Sequence, residues 1–210
     1  MNTKLIKNLL SHEEISSILK SIQDELDSRP IIKEDKPIST VHPNNATLYW
    51  KDFGRIDIRY PKISQDIINK VFEVVKDKTD PVFKDLKFQF VIYAEYSKRS
   101  GGNPMLNPHF DVSDNPTLFL DYQLDSNTSW PIIVEDDSFD LKNNDSLLFE
   151  SVQNIHYRPV KNFLDEEFVK MLFFRFSTST SLQEKTNEDY KRLYEIEIKY
   201  DLSKNMGRGA

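Results

Sequence analysis

Three residues in this chain have the types and spacing that hold a metal ion. His109 and Asp111 stand two apart in Asn107-Pro-His109-Phe-Asp111-Val112. In a strand, positions i and i+2 face the same side with Cα atoms about 6.6 Å apart, so both side chains can converge on one ion. His156 follows 47 residues later, at the start of a second strand-like run, Ile155-His-Tyr-Arg-Pro-Val160. Two imidazoles and one carboxylate can form the facial triad that binds non-haem Fe(II) and leaves coordination positions open. Alone, His156 reads as readily as a core histidine bonded to the backbone. The strand context on both sides favours the metal. The chain has four His and no Cys, which excludes disulfides, thiolate sites and a Cys nucleophile. His12, in the first turn of a helix, and His42, in a Pro-rich segment, are read as solvated.

The elements that must position these residues follow from periodicity. Ser11 and Glu14 have capping-box spacing, and Ile15, Ile18, Leu19, Ile22 and Leu26 form one apolar stripe, which predicts a helix over Ser11 to Leu26. Residues 27 to 47 carry three prolines and read as irregular and mobile. Alternation at Ile56, Ile58 and Tyr60 predicts a strand within Thr47 to Tyr60, and a second amphipathic helix is predicted from Ser64 to Lys76. From Phe88 onward, short apolar runs recur between Gly, Pro, Asn and Asp: Phe88 to Tyr96, Asn107 to Val112, Thr117 to Leu124, Trp130 to Val134, Ser146 to Phe149, Ile155 to Val160 and Phe168 to Phe176. Such spacing predicts a β-sandwich or barrel. A polar helix near Asn187 to Leu193 and an alternating edge strand from Tyr194 to Tyr200 complete the reading. The expected architecture is one mainly β domain: helices and a strand over 1–86, a barrel of about eight strands over 87–178, and an extension over 179–210.

The order of these pieces resembles the Fe(II)/2-oxoglutarate-dependent oxygenase superfamily, in particular its small prolyl-hydroxylase-like members of phage and microbial type. The resemblance runs from Phe88 to Ser177 and is carried by Tyr93-Ala-Glu-Tyr96, a Gly-containing loop, Pro108-His-Phe-Asp111, the strand Leu118 to Leu124, Asn144-Asp-Ser-Leu-Leu-Phe149, His156-Tyr-Arg-Pro159 and the strand Phe168 to Ser177. It implies a double-stranded β-helix (jelly-roll) fold, Fe(II) held by His109, Asp111 and His156, 2-oxoglutarate as co-substrate and O2 as oxidant. It also implies decarboxylation of 2-oxoglutarate to succinate with hydroxylation of a C–H bond. Related halogenases carry Gly or Ala at the carboxylate position, so Asp111 implies hydroxylation instead. The distal carboxylate of 2-oxoglutarate needs a buried cation, which the family supplies early in the last core strand. Lys170, 14 residues after His156, fits that placement and ranks first. Arg158, on the face of His156, ranks second, and Arg175, 19 residues on and of opposite parity to Lys170, ranks third. The basic residue usual nearer the distal His is absent here, where Glu166 stands. Tyr93 and Tyr96 are the candidate hydroxyl donors to the same carboxylate.

Composition narrows the partners. With 34 acidic and 28 basic residues the net charge is −6, which argues against a duplex nucleic-acid footprint. No run of 18 apolar residues occurs, so no transmembrane helix is expected. The start, Met1 to Leu10, is too quickly polar for a secretory segment, and a cytoplasmic protein is expected. Glu135-Asp-Asp137 lacks EF-hand spacing and reads as a strand-connecting turn. Lys98-Arg99 beside Ser100-Gly-Gly102 reads as a solvated loop placed where a substrate lid would lie. The substrate expected is a small molecule or a peptide or protein side chain. The alternative is a non-catalytic β-barrel binding or virion-associated protein that keeps the fold without oxygen chemistry.

Overall fold

The computed structural model describes residues 3–29, 31–34, 47–50, 54–83, 85–98, 104–111, 117–179 and 184–206. The strands form two sheets. The larger has eight strands in the order β1 (Lys4–Lys7), β10 (Asp145–Glu150), β7 (Thr117–Ser126), β12 (Phe168–Ser177), β5 (Lys87–Ser97), β4 (Arg55–Arg59), β3 (Thr47–Trp50) and β2 (Ile31–Glu34). The smaller has four, in the order β6 (Leu106–His109), β11 (His156–Arg158), β8 (Ile132–Val134) and β9 (Asp137–Phe139). All pairings are antiparallel except β2 with β3. The fold is a double-stranded β-helix, mainly β with flanking helices.

The large sheet is covered on both faces, so its strands read as nearly continuous apolar runs. Residues of one parity, among them Tyr93, Leu118, Leu120, Tyr122, Leu172 and Phe174, pack with Ile18 and Ile22 of α1 (His12–Ser28) and with Ile67, Val71 and Val75 of α2 (Gln65–Lys78). The other parity, including Ala94, Tyr96, Leu147, Phe149, Met171 and Phe173, faces the small sheet and packs with Trp130, Ile132 and Val134. Each helix starts where the sequence places its cap. Ser11 Oγ accepts from the Glu14 amide at 3.2 Å while the Glu14 carboxylate accepts from the Ser11 amide at 2.6 Å, and Ser64 caps α2.

Three expectations are corrected. The alternating tail is not an edge strand: α3 (Asn187–Met206) runs through Tyr194 to Tyr200 as one helix. The residues between its apolar positions are Glu195, Glu197 and Lys199, all good helix formers, and Ile196 and Tyr200 share the face turned to Tyr157 of β11. The segment from Thr47 to Tyr60 is two paired strands, β3 and β4, with Gly54 at a φ of 53° beside the reversal; a side chain would make that angle costly. The stretch read as irregular holds β2, and its residues 35–46 lie outside the described set, as do the loop residues 99–103. The eight strands β5 to β12 fall within 87–178, as expected of a barrel of about eight, and β1 and β9 are short strands that the sequence pattern did not mark. Glu135-Asp136 is indeed the turn from β8 to β9. Among the described residues no helix is long and apolar enough to cross a membrane.

Candidate functional site

His109 closes β6 and His156 opens β11, and the two are cross-strand partners. That register sets their rings side by side, with centroids 4.2 Å apart. Asp111 lies beyond the end of β6 rather than within the strand. Its backbone amide donates to the Ser151 carbonyl at 3.0 Å, which turns the chain back toward the sheet. The Asp111 carboxylate is 3.6 Å from His109 Nε2 and 3.9 Å from His156 Nε2, and one ligand atom from each residue falls within 4.8 Å of the other two. Two donors sharing an ion at about 2.1 Å each can be no more than about 4.2 Å apart, so both carboxylate–imidazole distances suit a common ion.

The remaining ring nitrogens fix the tautomers. His109 Nδ1 lies 2.7 Å from the Asn107 carbonyl and His156 Nδ1 lies 3.1 Å from the Asn154 carbonyl. A carbonyl only accepts, so each Nδ1 carries the proton and each Nε2 presents a lone pair toward Asp111. Burial and the neighbouring His109 push the His156 pKa down to about 4, so this ring is neutral. Burial opposes charge on His109 too, but its contact with Asp111 outweighs that and raises its pKa. Burial likewise opposes the charge on Asp111, and His109 and His156 together hold its carboxyl below the usual range. Phe149 packs against the His156 ring at 5.1 Å and shields it. A carboxylate and two outward lone pairs are a donor set that fits a divalent transition metal.

Asp111 also borders a cavity of about 340 Å³ walled by Arg59, Tyr60, Phe90, Phe119 and Arg175. Deeper in the barrel lies a polar cluster. Arg55 Nε donates to Asp57 at 2.6 Å and its Nη1 to the Tyr96 hydroxyl at 2.9 Å. Arg158 is almost fully enclosed, donates to the Trp130 carbonyl and the Met171 sulfur, and lies with its guanidinium carbon 5.1 Å from the Trp130 ring centre. Burial raises the pKa of the enclosed Asp121 to about 7, against the pull of Arg158 and with the help of Asp111.

No family model and no curated protein matches the sequence. Solved structures do. The non-haem α-ketoglutarate-dependent epimerase SnoN from nogalamycin biosynthesis aligns over 84% of this chain and 78% of its own, with a TM-score of 0.61 at 9% identity. The viral collagen prolyl hydroxylase of Paramecium bursaria Chlorella virus-1 aligns over 85% and 97%, with a TM-score of 0.57 at 11% identity. A 2OG-Fe(II) oxygenase family member from Burkholderia pseudomallei aligns over 85% of each chain, with a TM-score of 0.54 at 10% identity. The fold is that of the Fe(II)/2-oxoglutarate-dependent oxygenases.

Within this oxygenase fold the other sequence-predicted residues separate. Arg158, Arg175 and Tyr96 stand on inner faces of the barrel. Lys170 does not: its ladder partners are Glu95 and Asp125, its ammonium is 3.7 Å from Asp125, and this group lies on the helix-covered face. Tyr93 is on that face as well, its hydroxyl donating to Glu95 at 2.9 Å. Ordinary alternation along β12 puts Val169 and Met171 inward with Phe173 and leaves Lys170 on the other face, so apolar groups occupy the start of the last core strand. Sequence reasoning missed Arg55, Asp57 and Arg59, although they alternate with the two isoleucines that predicted the strand. It also missed Asp121, whose signal is a lone carboxylate in an otherwise apolar run.

Proposed function

We propose that this protein is an Fe(II)- and 2-oxoglutarate-dependent dioxygenase that hydroxylates a C–H bond of a small molecule or of a peptide or protein side chain. The observation that carries this reading is the convergence of His109 Nε2, Asp111 Oδ1 and His156 Nε2. These three would hold the iron. With 2-oxoglutarate and O2 bound, the metal supplies the oxidation: one oxygen atom goes to the succinate formed as CO2 is lost, the other to the substrate C–H. His156 is neutral in its setting and Asp111 ionised, so neither needs to change protonation before binding a cation.

Arg158 and Tyr96 are assigned to the distal carboxylate of 2-oxoglutarate. Arg158 is buried yet forms no ion pair among the described residues, a costly state for a guanidinium unless an anion arrives. It sits two residues along β11 from His156, about 6.6 Å, a span that a five-carbon diacid bridges. Tyr96 accepts its hydrogen bond from Arg55 and so keeps its own O–H to donate. Phe119 and Phe149 exclude water from the region next to the imidazoles. The structural neighbours include proteins named for a collagen prolyl hydroxylase and an antibiotic-pathway epimerase, which supports a substrate of either small-molecule or polypeptide origin.

The deciding experiment is anaerobic addition of Fe(II) and 2-oxoglutarate to the purified protein. A weak visible charge-transfer band, lost in Asp111→Ala, and succinate formed on admission of air are expected. No band and no succinate would transfer the barrel to the non-catalytic binding class.

A further inference from the structure

The cavity beside Asp111 carries a charge pattern that the iron and 2-oxoglutarate do not use. Its walls come from one face of the large sheet: Arg59 of β4 is the ladder partner of Ile92, while Arg175 of β12 is flanked by Phe90 on one side and Phe119 on the other. Tyr60, with φ at +52°, turns the chain out of β4 and sets its ring edge-on to Phe90 at 6.0 Å. Two arginines two strands apart thus point into one aromatic-walled space.

Neither guanidinium is neutralised among the described residues. Among the described residues, Arg29 pairs with Glu25, Arg55 with Asp57, and Arg192 with Glu135 and Asp136. No carboxylate among them pairs with Arg59 or Arg175. Arg175 makes a long bond of 3.4 Å to Thr117 Oγ1 and rests 5.4 Å from the centre of the Phe90 ring, contacts that orient the side chain and leave most of its donors unused. A pair of half-buried guanidiniums in an aromatic-walled cavity is a recognition element for an anion.

The position of Asp111 fixes the direction. Its carboxylate lines the same cavity as the two guanidiniums and marks the end nearest the metal centre, so the negative group of a ligand belongs at the arginines and the uncharged part lies toward that centre. The volume, about 340 Å³, is at the small end of ligand sites, which suits one compact molecule or one side chain. Granted the oxygenase reading, on which this rests, we propose that the substrate is an organic acid whose carboxylate is held by Arg59 and Arg175 while its hydrocarbon part, between Phe90 and Phe119, presents a C–H bond to the metal centre. Arg175 is thereby a substrate residue and not the anchor of 2-oxoglutarate.

The test compares phenylacetate with its neutral isostere phenylacetamide. Binding of each to the full chain is measured by ligand-observed NMR and calorimetry, with Zn(II) as an inert metal and 2-oxoglutarate saturating, so that the co-substrate site is filled. The acid is expected to bind about ten-fold more tightly than the amide, as charge-assisted hydrogen bonds imply. Arg59→Gln and Arg175→Gln should each bring the acid to within about three-fold of the amide. The 2-oxoglutarate concentration that half-develops the Fe(II) band should not move in either variant. Equal binding of acid and amide to the wild type, or no binding of either, overturns the substrate class. A shifted 2-oxoglutarate dependence in Arg175→Gln overturns the division of labour and returns Arg175 to the co-substrate. If the wild type forms no band, the oxygenase reading itself has failed, and the acid-to-amide ratio without metal or co-substrate still decides whether the cavity selects anions.

Discussion

His109 and His156 are direct partners across the β6–β11 ladder, and each ring is held by its Nδ1 contact to the carbonyl two residues before it, Asn107 and Asn154. The backbone therefore aims both Nε2 atoms before any ion binds. A site prepared in this way stabilises the folded chain when filled, because the unfolded chain lacks it. Adding Mn(II) or Co(II) to protein stripped with EDTA should raise the thermal midpoint. At 100 times the dissociation constant the gain is about 2.7 kcal/mol. Asp111→Ala and His156→Ala should show almost none of it, and scanning calorimetry with and without metal is the check.

Arg158 and Lys170 divide the candidates for the co-substrate anchor. Arg158→Gln should raise the 2-oxoglutarate concentration needed for half-maximal band formation by about 100-fold, the cost of removing a charged partner from a buried carboxylate. Tyr96→Phe keeps the ring and removes one donor, so about a ten-fold rise is expected. Lys170→Gln removes only a half-exposed pair with Asp125 and should leave the dependence unchanged. Titration of the band in the three variants separates these outcomes, and a Lys170 variant that needed more 2-oxoglutarate would reverse the assignment.

Asp121 sets a pH dependence of stability in the metal-free protein. Its folded pKa is raised to about 7 by burial, with Arg158 opposing, whereas an unfolded aspartate titrates near 3.9. Between these values the folded state keeps a proton that the unfolded state gives up, so this group's contribution falls as pH rises from about 4 to about 7 and is level above that. Asp121→Asn has no such titration. The stability of the variant minus that of the wild type should climb by a few kcal/mol across that window, measured by urea unfolding at several pH values. A flat difference would place Asp121 in contact with solvent or a closer cation.

The sequence was legible where a local rule decides the structure. Ser11 and Glu14 announce the first helix because a capping box is satisfied within four residues. His109 and His156 are visible because histidine is scarce here and each lies beside a strand pattern. The face on which Lys170 lies was not legible, because it depends on which side of β12 looks inward. Lys170 and Arg175 differ in parity along β12, but nothing local to that strand says which parity meets the second sheet. Arg55, Asp57 and Arg59 escaped for a related reason: in one strand, a charged face that is buried by a second sheet has the same pattern as one facing water. The period-two signal of Tyr194 to Tyr200 misled because seven residues of alternation also fit a helix that turns Ile196 and Tyr200 toward the sheet.

Glu135 ties β11 to the rest of the small sheet, and its removal tests whether His156 is positioned from outside the proposed centre. Its carboxylate accepts from the Ile155 amide at 2.8 Å and from Asn154 Nδ2 at 3.3 Å, and it pairs with Arg192 of α3. Its own amide donates to the Ile155 carbonyl at 2.8 Å. Ile155 is almost fully buried, so Glu135→Ala leaves a backbone N–H without its partner next to a proposed ligand. The cost expected is about 2 kcal/mol of stability, read by urea unfolding, together with a weakening of Co(II) binding of about ten-fold as the Asn154–His156 segment loosens. Glu135→Gln keeps an acceptor for the amide and loses mainly the charge toward Arg192, so it should recover most of the Co(II) affinity while regaining only part of the stability. If the alanine variant lost stability but bound Co(II) as the wild type does, Glu135 would be a fold contact with no hold on the site.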